Sequence, residues 1–148
     1  NIKPMYKTYF CFTTHEEIGY GGATLPKDIE ELLVVDMGCV GDDLSCTEEQ
    51  VSICGMDNLG PYDYEMTTRL VELSKKNGID YVVDVYPRYS SDAGALWKAG
   101  YDTRAALIGP GVHASHGMER THIDGLTNTL NLICAYLKLE KYKKGKLP

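Results

Sequence analysis

The sequence predicts an α/β fold built on a mixed, mostly parallel sheet with helices on both faces, and three observations lead there. Short apolar runs of strand length alternate along the chain with amphipathic stretches of helical period. Two of the apolar runs end in carboxylates followed by glycine, a pattern that places charge at the carboxyl edge of a sheet, where α/β proteins hold ligands. The chain has 148 residues, enough for one domain able to bury roughly 70% of its unfolded surface.

The elements follow in order. Residues 7–14, with Tyr9, Phe10, Cys11 and Phe12, read as a buried strand that delivers His15, Glu16 and Glu17 into a turn containing Gly19, Gly21 and Gly22. A second strand, 32–35, ends in Asp36. An acidic stretch over 41–49 precedes a short strand at 50–54, and 57–60 form a turn. Pro61 then opens a helix that runs to about Lys76 with Met66, Leu70 and Leu73 on one face, and Asn77-Gly78 ends it. Residues 81–86 form a strand stopped by Pro87, and Ser90 or Ser91 caps a helix over 92–99. A strand at 103–108 leads into a His-rich loop. The last helix, 124 to about 142, packs on the sheet through Leu126, Leu130, Ile133 and Leu137. There is no internal repeat and no low-complexity segment.

Composition narrows the partners. A net charge of −6 argues against nucleic acid, which needs a basic face. No apolar run approaches the ~20 residues of a membrane span. The basic tail at 138–146 reads as a solvated helix end, with Lys favoured near the carboxyl terminus. Five cysteines, Cys11, Cys39, Cys46, Cys54 and Cys134, are odd in number and lack CxxC spacing, which indicates reduced, mostly buried thiols and a cytoplasmic protein.

The candidate chemistry lies in the charged residues at strand ends. Adjacent side chains on a strand point apart, so Glu16 and Glu17 are expected to do different work, one as a metal ligand and the other as general base on an attacking water. An adjacent Glu pair is equally a common form of solvated surface charge. Three of the four histidines, His113, His116 and His122, share the loop after the 103–108 strand, and imidazole beside carboxylates is a ligand set for Zn²⁺ or a similar ion. His15 reads as exposed or capping, and His122 as a cap or a support for a metal ligand. Glu119 and Arg120 read as a surface pair, with anchoring of the loop by Arg120 through Glu or Asp the sharper alternative. Asp42 and Asp43 read as turn residues.

The ordered set Thr14-His15-Glu16-Glu17-Ile18-Gly19, Val35-Asp36, Ser91-Asp92-Ala93-Gly94 and Ile108-Gly109-Pro110, with His116 eight residues after Ile108, resembles the catalytic region of the TET-type metallo-aminopeptidases, the glutamyl and deblocking enzymes of the two-metal exopeptidases. The resemblance covers nearly the whole chain. It implies a three-layer, zinc-exopeptidase-like domain in which Glu16 is the general base, Glu17, Asp36 and His116 are metal ligands, and Asp92 and His113 lie on the substrate side. It also implies two divalent ions, Zn or Co, peptide substrates and a homo-oligomer for the full-length form. Asp92 at a helix N-terminus has a purely structural reading as well.

The chain departs from the family at Tyr89-Ser90-Ser91-Asp92, where Gly-Gly-Thr-Asp is frequent, and at His113, where Arg is common; both bear on substrate preference. Family members also carry a His-x-Asp motif, a bridging Asp and an inserted β-rich dimerisation domain upstream of the Glu pair. Residues 1–148 are therefore expected to be the carboxyl-terminal part of a catalytic domain, incomplete alone, inactive as a fragment and prone to associate. Two other functions remain open: another two-metal exopeptidase or N-acyl amino acid hydrolase, using His113, Arg88 or Arg104 for a substrate carboxylate, and a non-catalytic assembly module. The joint presence of Glu16, Glu17, Asp36 and His116 argues against the module.

Overall fold

Strand β6 (Arg104–Val112) is the axis on which the rest of the chain is hung. In the computed structural model, which describes residues 4–138, β1 (Glu31–Val35) lies parallel to its first half, with Leu33 opposite Ala106. The short β2 (Gly38–Cys39) continues along its second half. On its other side β3 (Val51–Asp57) runs antiparallel, with Ile53 opposite Ile108. Strand β5 (Tyr81–Tyr86) lies parallel to β3, and β4 (Gly60–Pro61) closes a hairpin on β3. Three of these five pairings are parallel and two antiparallel, which makes the sheet mixed. Because β3 reverses the direction, β1 and β6 deliver their carboxyl ends to one edge while β5 ends at the opposite one.

Side chains alternate across a strand, and β6 buries both of its faces. Ala106 and Ile108 join Val51, Ile53, Met66, Leu70, Ile79 and Leu132, whereas Ala105 and Leu107 join Val34, Cys54, Tyr62, Tyr86 and Ala93. The first cluster lies under α1 (Tyr64–Asn77) and α3 (Ile123–Tyr136), the second under α2 (Asp92–Lys98), so the sheet is covered on both faces. Helix α1 starts where Asp63 accepts a 2.8 Å hydrogen bond from the Met66 amide, and it ends at Gly78 in the left-handed region, φ 60°.

The structure corrects several sequence expectations. Residues 7–14 form no strand, and Phe12 is 93% exposed. An apolar run becomes a strand only beside an edge that pairs with it, and this one finds side chains instead: Lys7 and Tyr9 both bond to Asp28. Cys11, expected to be buried in that strand, is exposed. Pro61 does not open a helix but sits in β4 opposite Met56. The buried Tyr62 holds the segment on the sheet through its bond to Asp57, which delays the helix to the capping Asp63. Strands β3 and β6 run further than the 50–54 and 103–108 read from sequence.

Helix α3 packs through Gly125, Thr129 and Leu132, while Leu126 and Leu130, expected on the packing stripe, are exposed. Gly125 sets this rotation: a Cβ there would lie 2.3 Å from the Glu48 carbonyl, so only a glycine lets the helix come so near. The helix ends at Tyr136, with Leu137 as its cap and Lys138 at φ 56°, short of the end near 142 that the sequence suggested, because the chain turns into the left-handed region there; most of the basic tail lies outside the described residues. Among the described residues no cysteine forms a disulfide. No helix among the described residues is long and apolar enough to cross a membrane.

Candidate functional site

Four segments meet at a cavity of about 400 Å³ that includes Glu16, Glu17, Asp36, Arg88, Tyr89, Ser90, His116 and Glu119 in its lining. Asp36 is the first residue beyond β1. Its amide donates to the Ile108 carbonyl at 3.0 Å, and Gly109 alongside must lack a side chain, because a Cβ would lie 2.0 Å from the Asp36 carbonyl oxygen. His116 follows β6 on a tight loop closed by paired backbone bonds between His113 and Arg120 at 2.9 and 3.1 Å. Ala114 and His116 both sit in the left-handed region, at φ 58° and 62°, uncommon for residues with a Cβ and frequent at functional sites. The Glu119 carboxylate accepts the His116 amide at 2.8 Å and holds that conformation. The ring nitrogen Nε2 of His116 comes to 3.2 Å from the Glu17 carboxylate.

Glu16 and Glu17 stand on a single 3-10 turn, Glu16–Ile18, closed by Gly19 at φ 78°. The pair was expected at the end of a strand, where neighbouring side chains diverge; on this turn Glu16 and Glu17 both line the cavity, as the division of work between a base and a ligand at one site requires. The following turn, Gly21–Ala23, seats directly on the start of α2: a Cβ at Gly21 would meet Asp92 Oδ1 at 2.2 Å, and one at Gly22 the Asp92 carbonyl at 2.1 Å. Two glycines thus bring the Glu pair against Asp92.

The fourth wall, residues 88–91, arrives from the far edge of the sheet and folds back over it. A chain of hydrogen bonds holds it there: Asp57 to Tyr62 at 2.7 Å, Tyr62 to Ser91 at 2.7 Å, and Asn58 amide to Tyr89 carbonyl at 3.0 Å. Ser91, one of the two expected caps, accepts from the Ala93 amide.

The cavity is rich in negative charge. Burial first, then the charges of Asp36, Asp92 and Glu17, push the Glu16 carboxyl up to about 6, a value suited to a base working near neutrality. Burial also raises Asp36, opposed by the Tyr89 hydroxyl and the Met37 amide. Asp92 Oδ1 is buried without a hydrogen-bond partner. Carboxylates and an imidazole are the donor set for a divalent cation, and crowded carboxylates with an orphaned oxygen are what such a charge would relieve. Among the described residues no group of three His, Cys, Asp or Glu stands within reach of a single ion.

Of the residues singled out from sequence, the structure brings Glu16, Glu17, Asp36 and His116 together, with Asp92 acting on Glu16 and Asp36 through its charge. His113 is not among the lining residues; its charge acts on Glu48 instead. His122 caps α3, accepting the Asp124 amide at 3.2 Å. Arg120 pairs with Glu48 at 2.7 Å and Glu119 with the His116 amide, so the two are not a surface pair with each other. The sequence marked Tyr89 only through the Tyr89-Ser90-Ser91-Asp92 departure and Glu119 only as half of a surface pair, and neither as a wall of this cavity.

Residues 1–132 match the sequence pattern of the M42 glutamyl aminopeptidases. The chain belongs to the M42 glutamyl aminopeptidase family. It is 46% identical over 139 residues to a Bacillus subtilis (strain 168) protein named "Putative aminopeptidase YhfE", a match spanning 93% of this chain and 40% of that protein. The fold is that of the TET aminopeptidases. The Pyrococcus horikoshii TET1 peptidase, which can assemble into a tetrahedron or a large octahedral shell, superposes with a TM-score of 0.72 at 21% identity, over 85% of this chain and 39% of that one. An aminopeptidase from Desulfurococcus kamchatkensis gives 0.72 at 20% identity, over 84% and 39%. The M42 chain described here thus spans about two fifths of the length of the relatives it matches.

Proposed function

We propose that residues 1–148 are the carboxyl-terminal part of the catalytic domain of a cytoplasmic metal-dependent aminopeptidase that removes N-terminal residues from peptides and works as a homo-oligomer. The observation that carries this reading is the cavity itself, which gathers Glu16, Glu17, Asp36 and His116 in a chain of the M42 family. Glu17, Asp36 and His116 would supply ligands to two divalent ions, Zn²⁺ or Co²⁺, with the remaining ligands from the portion of the protein outside this chain. When bound, the ions polarise the scissile carbonyl and ease deprotonation of the attacking water.

The chain's own residues account for the rest. Glu16, held near neutrality by burial and by the neighbouring carboxylates, takes the proton of the attacking water and returns it to the leaving amine as the peptide bond breaks. The surplus of negative charge favours a cationic group, which suits the free α-ammonium of a peptide and disfavours a carboxylate. Asp92 adds to that charge from the end of α2, and His113 is left to the substrate side. Arg88, a cation in the cavity lining, is the one feature that favours a substrate carboxylate and hence a deacylase or carboxypeptidase.

The test is made in the full-length protein with aminoacyl anilides and N-acyl amino acids as alternative substrates. Glu16→Gln should lower kcat by about 10²-fold or more with metal content retained. His116→Ala should strip metal, whereas His113→Ala should alter the ranking of substrates and leave metal in place. Preferred turnover of N-acyl amino acids would replace the aminopeptidase reading, and metal loss on His113→Ala but not on His116→Ala would overturn the ligand assignment.

A further inference from the structure

Asp57, at the end of β3, is the only buried carboxylate among the described residues, and it lies outside the cavity. Burying a carboxylate is costly unless hydrogen bonds replace its water, and Asp57 gives its two oxygens to two different partners. Oδ1 accepts from the Leu59 amide at 2.8 Å and closes the hairpin turn. Oδ2 accepts from the Tyr62 hydroxyl at 2.7 Å. The same Tyr62 oxygen lies 2.7 Å from Ser91 Oγ, and since its proton is directed at Asp57 it accepts from the serine. Ser91 in turn accepts the Ala93 amide at 3.3 Å. Tyr62 and Ser91 are buried as well, so every donor and acceptor of this chain is assigned within it.

The hairpin grips the 88–91 segment and its helix at further points. The Asn58 amide donates to the Tyr89 carbonyl at 3.0 Å. Leu59 fills the space beside Gly94 of α2, where a Cβ would come within 1.9 Å of its Cδ1, and the Tyr62 and Trp97 rings lie 6.0 Å apart. Arg88, Tyr89 and Ser90 line the cavity, whereas Asp57, Asn58, Leu59, Tyr62 and Ser91 do not. Any effect of the hairpin on a ligand in the cavity is therefore transmitted through the wall it holds.

We propose that Asp57, Tyr62 and Ser91 form a bracket that fixes the substrate wall of the cavity, with Tyr62 as the positioning residue that joins hairpin to wall. The inference rests on the reading of this cavity as the place where a peptide binds. A wall held in place beforehand does not have to be ordered by the substrate, and that saving appears as affinity. Glu16, Glu17, Asp36 and His116 stand on other segments, so loosening the wall weakens substrate binding and leaves the metal residues and the base where they are.

The test uses the full-length protein, with steady-state kinetics on aminoacyl anilides and N-acyl amino acids, zinc content and melting temperature read on each variant. Tyr62→Phe keeps the ring beside Trp97 and leaves Asp57 its Leu59 amide and Ser91 its Ala93 amide, so it cuts only the link between hairpin and wall. It should raise KM by about 10-fold, with kcat within about twofold of wild type and zinc content unchanged. Ser91→Ala cuts the same link from the other side and should do the same, and the double variant should raise KM no further than either single one, because one bond is lost in all three. A lower melting temperature with unchanged KM in both single variants would make the bracket a stabilising feature of the fold alone and overturn the inference. A rise in KM accompanied by loss of zinc would place its effect on the metal residues and overturn the substrate role. Absence of turnover of both substrate classes by the wild-type protein would overturn the reading of the cavity and the inference with it.

Discussion

His116 carries a backbone conformation that its side chain would not choose, and Glu119 is what holds it there. The left-handed φ of 62° brings the imidazole to Glu17, and the 2.8 Å bond from the His116 amide to the Glu119 carboxylate closes the turn. Glu119→Ala should release the loop, with about a 10-fold fall in metal affinity and earlier proteolytic cleavage between 113 and 120; unchanged affinity and cleavage would show that the loop holds itself. Gly109 is a second single-residue constraint. An added methyl would lie 2.0 Å from the Asp36 carbonyl oxygen, which is backbone and cannot turn aside, so Gly109→Ala should destabilise the protein by about 3 kcal/mol in urea unfolding. At Gly41 the nearest atom is the end of Leu44 at 3.9 Å, and the same change there should be close to neutral.

At the scale of elements, Glu31 is the tie between β1 and both helices' side of the sheet. Its carboxylate takes Arg69, Arg104 and Tyr136 together, joining β1 to α1, β6 and α3. Burial would raise its pKa, but the hydrogen bonds from Tyr136 and Arg69 and the charges of Arg69 and Arg104 outweigh burial and hold the carboxyl below its ordinary value. A carboxylate depressed in the folded state stabilises it above the unfolded pKa, near 4.3, and this contribution is lost as pH falls through the folded value. Glu31→Gln should therefore cost about 2 kcal/mol at pH 7 and less as the solution is acidified below the unfolded pKa, seen as a narrowing gap between the two melting temperatures. A constant gap would mean that the ion cluster is not what the substitution removes.

The elements also show what a sequence discloses and why. Residues 32–35 and 81–86 and the helix after 61 were legible because their patterns are local: apolar runs of strand length, a 3.6-residue stripe, Asn77-Gly78 at the end. Residues 7–14 carry the same strand pattern and form none, since pairing depends on an edge elsewhere. The face of α3 was read in part: Ile133 and Leu137 pack as expected, but in place of Leu126 and Leu130 it is Gly125 and Thr129, small rather than apolar, that mark the side of closest approach. In the cavity, Glu16, Glu17, Asp36 and His116 could be named from the order of their motifs. Tyr89 and Glu119 could not, because their contacts exist only once the 88–91 loop folds back and the loop after β6 closes.

On the scale of the whole molecule, the first twenty described residues leave a large apolar surface in water. Met5, Phe10, Phe12, Ile18 and Tyr20 are all exposed, and Phe12 is nearly as accessible as in an extended chain. At the other side of the sheet β5 is an edge strand with Val83 and Val85 exposed. Exposed apolar side chains in such number and a strand edge left unpaired among the described residues both favour association in water. The 148-residue chain alone should therefore sediment as a concentration-dependent mixture and not as a monomer of 16.4 kDa. Replacing Phe10 and Phe12 together by Ser should shift that mixture towards monomer without lowering the melting temperature, because neither side chain contributes to the buried clusters. A wild-type chain that stays monomeric at high concentration would show that the amino-terminal segment covers its own apolar side chains in solution. A double Ser variant that associates as strongly would move the contact to the β5 edge, where Val83→Lys is the next substitution to try, since a charge on an edge strand discourages pairing.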